Sequence, residues 1–312
     1  MNFIYDVLIN TKEKKMKLKE IYNSNKPIIS FEIFPPKAQN TDELNHKIND
    51  LFEELRILSE FNPAFISVTY GAGGSTRETT LDIVTKIKNN MNIQPMPHFT
   101  CVGSSREDIL EYLKKIESAG IENILALRGD PPKGETKFVK PEDGFGYANE
   151  LVEFIKSNTN LSIAVAAYPE CHPECCSLDK DIENLKRKID CGADVAITQV
   201  FYDNSCYFEF LEKAQKQGIN IQIIPGILPI TSYSQIERIS TLSGCKLPTE
   251  LSRKLAENKD DNEAIKQIGV EFAVKQANEL LKSGVSGIHF YPLNKAFAVK
   301  TVLENIKIQE KV

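Results

Sequence analysis

Short β-rich runs alternate with longer stretches of helical period along nearly the whole chain, and this alternation limits the fold more than any other feature. The runs are Ile28–Phe34, Phe65–Tyr70, Met96–Cys101, Ile124–Arg128, Ser162–Ala167, Val195–Val200, Ile221–Ile227 and Gly287–Tyr291. The stretches between them carry helix start and stop signals. Ser75 and Glu78 have capping-box spacing at the head of Thr76–Asn89, with Leu81, Val84 and Ile87 on one side. Ser105 opens a helix with Ile109, Leu113 and Ile116 inward, and Gly120 stops it. Gly192, Gly218 and Gly284 follow Leu178–Cys191, Cys206–Gln217 and Asn262–Ser283. Such alternation implies parallel strands joined by right-handed crossovers. Eight units predict an α/β fold, the closed (β/α)8 TIM barrel. No linker or composition break divides residues 1–312, so one domain is expected, with residues 1–24 as an N-terminal helical extension. An open doubly wound sheet competes, but its first turn would carry Gly-x-Gly-x-x-Gly, and here that turn reads Phe31-Glu32-Ile33-Phe34-Pro35-Pro36-Lys37.

A barrel gathers its chemistry at the C-terminal ends of the strands, and most strand ends here carry a polar or aromatic group. Glu32 closes the first strand between Phe31 and Phe34, ahead of two prolines that donate no N–H. A carboxyl in apolar surroundings loses solvation and gains proton affinity, which suits an acid or base near neutral pH. A structural carboxylate on a strand edge is the alternative. Thr69-Tyr70-Gly71-Ala72-Gly73-Gly74-Ser75 follows the second strand; it lacks the Lys of a nucleotide phosphate loop and reads as a turn that lets a ligand approach backbone. His98 and Thr100 lie on the third strand. Arg128-Gly129-Asp130 ends the fourth, combining a phosphate partner, close backbone and an N–H acceptor, or else forming a surface turn. Tyr168 and Glu170 end the fifth, with His172 beyond; Gln199 ends the sixth; His289 and Tyr291 sit on the eighth.

Asp181, Asn184, Arg187 and Lys188 form a polar stripe opposite Leu178, Ile182, Leu185 and Ile189. Stripes of this kind are usually solvated faces, but this one directly follows His172, and its Arg-Lys pair suits a pyrophosphate. Seven cysteines, scattered and odd in number, do not make a disulfide framework. Cys171, Cys175 and Cys176 lack a second ligand pair at metal spacing, so no metal is expected. Lys plus Arg number 38 against 43 Asp plus Glu, a net charge of −5 that argues against a nucleic-acid surface. No stretch is apolar enough for a membrane span, and the Lys-rich N-terminus lacks a signal-peptide core; a cytoplasmic location is the expectation.

Several of these motifs, in this order, resemble the methylenetetrahydrofolate reductase family, in its compact bacterial single-domain type. The carrying motifs are Phe31–Lys37, Ser67–Ala72, Pro97–Cys101, Ala126–Asp130, Ala166–Glu170, Asn184–Lys188, Thr198-Gln199, Ile224–Pro229 and His289–Tyr291. The resemblance spans about Pro27 to Asn294. It implies a barrel flavoprotein that binds FAD, takes hydride from NADH or NADPH, and reduces 5,10-methylenetetrahydrofolate to 5-methyltetrahydrofolate. Glu32 matches the family's general acid, and Asp130 the acidic group near flavin and pterin. Thr69, Tyr70, Ala72, His98, Arg128, Gly129, Asp130, Tyr147, Ala148, Tyr168, His172, Asp181, Asn184, Arg187 and Lys188 match flavin-binding positions. Asp130, Gln199, Gln235 and Lys295 match folate contacts, although relatives often carry Arg at the last, which alone makes a bidentate carboxylate pair. Ile239 stands where some relatives place a Phe lid. Some relatives work as homo-oligomers or with partner subunits. A flavin-binding subunit that relays electrons in a larger complex, and an unrelated barrel lyase or aldolase using Glu32 as base, are the alternatives; a colourless protein would favour the last.

Overall fold

The computed structural model describes residues 17–71, 76–130 and 138–308. The chain runs from helix α1 (Leu18–Ile21) through strand β1 (Ile28–Ile33), α2 (Thr41–Ser59), β2 (Phe65–Val68), α3 (Arg77–Met91), β3 (Gln94–Thr100), α4 (Arg106–Ser118) and β4 (Asn123–Leu127). It continues with α5 (Ala148–Asn158), β5 (Ser162–Ala167), α6 (Leu178–Asp190), β6 (Val195–Thr198), α7 (Asn204–Lys216), β7 (Gln222–Ile224) and β8 (Gly226–Ile227). Three helices, α8 (Tyr233–Ser243), α9 (Thr249–Glu257) and α10 (Asn262–Lys282), precede β9 (Gly287–Phe290) and α11 (Ala296–Asn305).

All strand pairs are parallel, in the order β7-β6-β5-β4-β3-β2-β1-β9-β8. β7 and β8 are two halves of the single run expected at Ile221–Ile227. Pro225 lies between them and has no N–H to give, so the ladder breaks there. β7 pairs with β6 and β8 with β9, and His289 N donates to Pro225 O at 2.9 Å. The barrel closes through this one segment.

Period-two alternation divides each strand between two cores. Ile29, Phe31 and Ile33 join the outer core with Ile66, Val68, Phe99 and Ile124, against Leu51, Leu55, Ile83, Ile109 and Leu113 of the helices. Ser30 and Glu32 take the other face. Inside the barrel, Phe65, Met96, Leu125, Ala164, Val195, Ile197 and Ile224 pack on Leu18, Ile21 and Tyr22, so α1 plugs the N-terminal end of the barrel. Leu18 N donates to Asn123 Oδ1 at 2.9 Å, tying the plug to β4. Of the helical extension expected at residues 1–24, Leu18–Ile21 is helical, residues 22–24 are not, and residues 1–16 lie outside the described residues, as does Ser75. Thr76 is the N-cap of α3 instead, and its Oγ1 accepts from Gly71 N at 2.7 Å. A third core, of Val200, Leu228, Ile230, Ile236, Leu251, Leu255 and Ile265, seats α8, α9 and α10 beside the barrel mouth.

Candidate active site

The strand C-termini open into a cavity of 590 Å³. Leu125, Leu127, Ala166 and Ile197 give it apolar surface; Glu32, Thr69, Tyr70, His98, Thr100, Arg128, Gly129, Asp130, Tyr168, His172 and Gln199 line the rest. A larger groove of 740 Å³ runs along the outside of α10 and α11, lined by residues such as Lys266, Gln267, Glu271 and Phe297. No strand end reaches that groove, so the chemistry belongs to the barrel mouth.

Glu32 is nearly buried, its side chain 12 % exposed. Its Oε2 lies 3.3 Å from His98 Nε2 and 3.8 Å from His289 Nε2. The His98 contact is not aligned as a hydrogen bond. His289 is fully buried, with Nδ1 2.7 Å from Ser30 Oγ and Nε2 3.4 Å from Ser67 Oγ. Burial pushes the Glu32 carboxyl up, but the two imidazoles outweigh it and hold the pKa down to about 2. Local sequence predicts the opposite direction, from Phe31 and Phe34. Phe31 in fact belongs to the outer core, and the face that Glu32 shares offers imidazoles instead of phenyl rings. Burial also holds His289 below the ordinary histidine range, with Glu32 pulling it upward.

Across the cavity two cations, Arg128 and Lys188, stand among carboxylates and rings. Arg128 donates from Nη1 and Nη2 to Glu174 at 2.6 and 2.9 Å, with its guanidinium 5.1 Å from the Phe138 ring centre. The Glu174 carboxylate holds the guanidinium above its ordinary pKa. The rings of Tyr168 and His172 meet edge-on at 4.7 Å, and Asp181 Oδ2 accepts from His172 N at 2.8 Å. Burial, then Asp181 and Asp130, push the Tyr168 phenol up to about 12. Lys188 Nζ donates to Ala166 O, at the end of β5, at 2.6 Å. Burial lowers its pKa to about 8 against the pull of Asp181. The stripe on α6 is therefore divided: Asp181 and Lys188 turn to the strand ends, whereas Arg187 is exposed and donates to Asn184 Oδ1 at 3.2 Å.

Other expected residues are placed elsewhere. Tyr147 is the exposed N-cap of α5 and Ala148 its first residue. Gln235 folds back as the capping box of α8, its Oε1 accepting from Thr231 N and Oγ1, both at 2.8 Å. Lys295 Nζ pairs with Glu54 on α2 at 3.0 Å. Ala72 lies outside the described residues. Cys171 holds a left-handed backbone, φ 75°, and its Sγ donates to His172 O and Cys175 O at 3.6 and 3.8 Å. Among the described residues no three His, Cys, Asp or Glu gather to hold a metal ion, and no helix is long and apolar enough to cross a membrane. Sequence reasoning gave no role to His289, Tyr291 or Glu174. For the first, the signal was alternation: His289 pairs in register with Ser30.

The cavity suits a flat ring with an anionic tail. Its volume lies within the range of roughly 300–1,000 Å³ usual for cofactor and ligand sites. Gly129 has φ +90°, and a Cβ there would meet Thr100 Cβ and Val102 Cγ1 at 2.9 Å, so only glycine brings this backbone to the cavity wall. Thr100 Oγ1 is buried in the same wall with no hydrogen-bond partner among the described residues. Arg128 and Lys188 offer positive charge at the strand ends.

Comparison with known proteins agrees with this arrangement. The sequence model of the family described as "Methylenetetrahydrofolate reductase" matches residues 17–307. The chain is 38% identical over 301 residues to "Methylenetetrahydrofolate reductase (NADH) 1" of Arabidopsis thaliana, covering 93% of this chain and 50% of the relative. It is 37% identical over 268 residues to "5,10-methylenetetrahydrofolate reductase" of Escherichia coli (strain K12), covering 86% of each. The chain thus spans about half the length of the plant relatives and most of the bacterial one. A solved structure, an uncharacterized protein from Clostridium thermocellum that binds two copies of 5-methyl-5,6,7,8-tetrahydrofolic acid, shares the fold. Its TM-score is 0.64 at 14% identity, over 92% of this chain and 95% of that one.

Proposed function

The chain belongs to the methylenetetrahydrofolate reductase family, and on that premise we propose that it reduces 5,10-methylenetetrahydrofolate to 5-methyltetrahydrofolate with NADH or NADPH as donor. FAD, held at the barrel mouth, supplies hydride transfer when bound. The observation that carries the reading is the nearly buried Glu32 carboxyl in a strand-end cavity that Arg128 also lines, with Lys188 bonded to the end of β5.

Glu32 gives its proton to the folate nitrogen that departs as the methylene bridge opens. The bridge carbon then becomes electrophilic enough to accept hydride. Asp130 lines the cavity and accepts from the pterin N–H groups. Gln199 contacts folate and nicotinamide in turn; its Oε1 now accepts from Val200 N at 2.8 Å, which leaves its amide N–H groups to donate. Arg128 and Lys188 hold phosphate oxygens, and Asp181 fixes the backbone of His172 beside them. Thr69, Tyr70, His98, Gly129, Tyr147, Ala148, Tyr168, Asn184 and Arg187 complete the cofactor contacts, and Ala72 joins them on the family resemblance alone. For Gln235 or Lys295 to reach folate, each leaves the partners it now has.

One pH dependence follows. Lys188 loses its proton as pH rises through about 8, so FAD loses a phosphate partner above that value. Titrating the ligand-free chain with FAD by fluorescence quenching is expected to show affinity falling by about tenfold from pH 7 to pH 9. A flat profile would remove Lys188 from the phosphate site.

The reading as a whole is tested anaerobically. Purified protein carrying FAD is mixed with NADH or NADPH, and flavin bleaching is followed; methylenetetrahydrofolate is then added. Bleaching, then return of the yellow colour with 5-methyltetrahydrofolate formed, is the expected result. A chain that takes up no flavin would defeat the reading. Bound flavin that neither nicotinamide bleaches would assign the donor to a partner protein.

A further inference from the structure

We propose that His289 is a positioning residue for Glu32: held by Ser30 at the floor of the barrel mouth, it sets which way the carboxyl faces and the pH range in which it gives up a proton. The inference deepens the proposed function and rests on it for the acid role of Glu32. It starts from a buried imidazole to which that reaction assigns no part. His289 has no exposed surface, and both ring nitrogens have polar neighbours on other strands: Ser30 Oγ at 2.7 Å from Nδ1, Ser67 Oγ at 3.4 Å from Nε2, and Glu32 Oε2 at 3.8 Å from Nε2. A ring placed only to fill space needs none of these. Its flat contacts, stacked on Phe65 at 5.7 Å and edge-on to Tyr291 at 5.3 Å, would be met by phenylalanine without the cost of burying two polar atoms.

When the Ser30 hydroxyl donates to Nδ1, the remaining ring proton sits on Nε2 and faces Glu32 Oε2 and Ser67 Oγ. That oxygen of Glu32 then faces the ring at the floor, 3.8 Å away and open to its charge. When Glu32 reacts, its O–H bond breaks and an N–H bond forms on the folate. The carboxylate left behind faces the Nε2–H and stays ionised in the open cavity; a proton from solvent returns to it as the next folate arrives and desolvates it. The titratable groups facing the pair are His98 from β3, Tyr291 after β9 and, across Ser30, Tyr22 after α1. Burial pushes both phenols well above the usual tyrosine range, so they stay neutral.

The test uses the full chain and two variants, H289Q and S30A. Glutamine can still donate toward Glu32 but does not ionise; alanine at 30 frees Nδ1 and leaves the ring. In the ligand-free protein, the Glu32 carboxyl band is isolated by infrared difference against E32Q and titrated. Losing the imidazole is expected to raise the Glu32 titration by about one pH unit or more in H289Q, and in the same direction by less in S30A. The pH limb of folate reduction moves with it, while FAD affinity, measured separately, holds within about twofold. A Glu32 titration unchanged in both variants overturns the proposal. If H289Q does not fold, S30A decides alone. If the band shifts but the parent chain reduces no folate, the positioning stands and the proposed function fails.

Discussion

Glu32→Gln is expected to slow reduction of methylenetetrahydrofolate by about 10²–10⁴-fold while leaving reduction of FAD by the nicotinamide donor within about threefold. The amide has the shape of the carboxyl and can still accept from His289, so the cavity keeps its form. It carries no proton to give. Anaerobic stopped-flow separates the two halves: the first, flavin bleaching, persists, and the second, return of colour on adding folate, is lost. Folate turnover at the parent rate would end the assignment of Glu32 as the acid. The expectation is sharpened by the environment of the carboxyl. With its pKa held down to about 2, Glu32 is ionised in the ligand-free chain near neutral pH. Its proton therefore depends on the imidazoles beside it and on the desolvation that folate brings as it closes over the cavity.

The second large effect is on stability. Gly269 lies within α10, and in an exposed helix interior glycine to alanine stabilises by about 0.5–1 kcal/mol. Here the sign reverses. A Cβ at 269 would stand 2.0 Å from Ile230 O and 2.8 Å from Ile230 C, which is backbone and cannot rotate away. Overpacking of this kind costs about 1–3 kcal/mol, and contact with main chain belongs at the upper end, so G269A is expected to lose roughly 2–3 kcal/mol after the helix gain. Denaturant unfolding of the parent and the variant measures it; an equal or higher midpoint would contradict the close approach. Ile230 belongs to the core that seats Ile236 of α8, and α8 carries Ile239 and Leu242 into the cavity wall. Ligand affinity is therefore expected to fall together with stability.

The barrel was legible because its two periods differ so clearly. Runs such as Ser162–Ala167 alternate between two buried faces, while α4 and α5 repeat every three to four residues and end in recognisable caps. α2 follows the same rule: Asn40 caps it by accepting from Glu43 N, and it buries Ile48, Leu51, Leu55 and Leu58. The break at Pro225 divides the run expected whole at Ile221–Ile227, because a proline inside a strand removes a ladder donor. In the site, Glu32, His98, Arg128 and Tyr168 could be found because strand ends mark them. The proton affinity of Glu32 could not, because its chain neighbour Phe31 faces the helices and its real neighbours lie on β3 and β9. Gln235 has a competing local use. Ser232-x-x-Gln235 is itself a capping box, a local use of the side chain that competes with any ligand.

Ser30 and His289 stand 259 positions apart along the chain. During synthesis the acidic strand leaves the ribosome first, and its imidazole companion follows only after most of the barrel has been made. A nascent or truncated chain lacking the last strand thus holds Glu32 with His98 but without His289. The full surroundings of this carboxyl are therefore complete only when the ring closes.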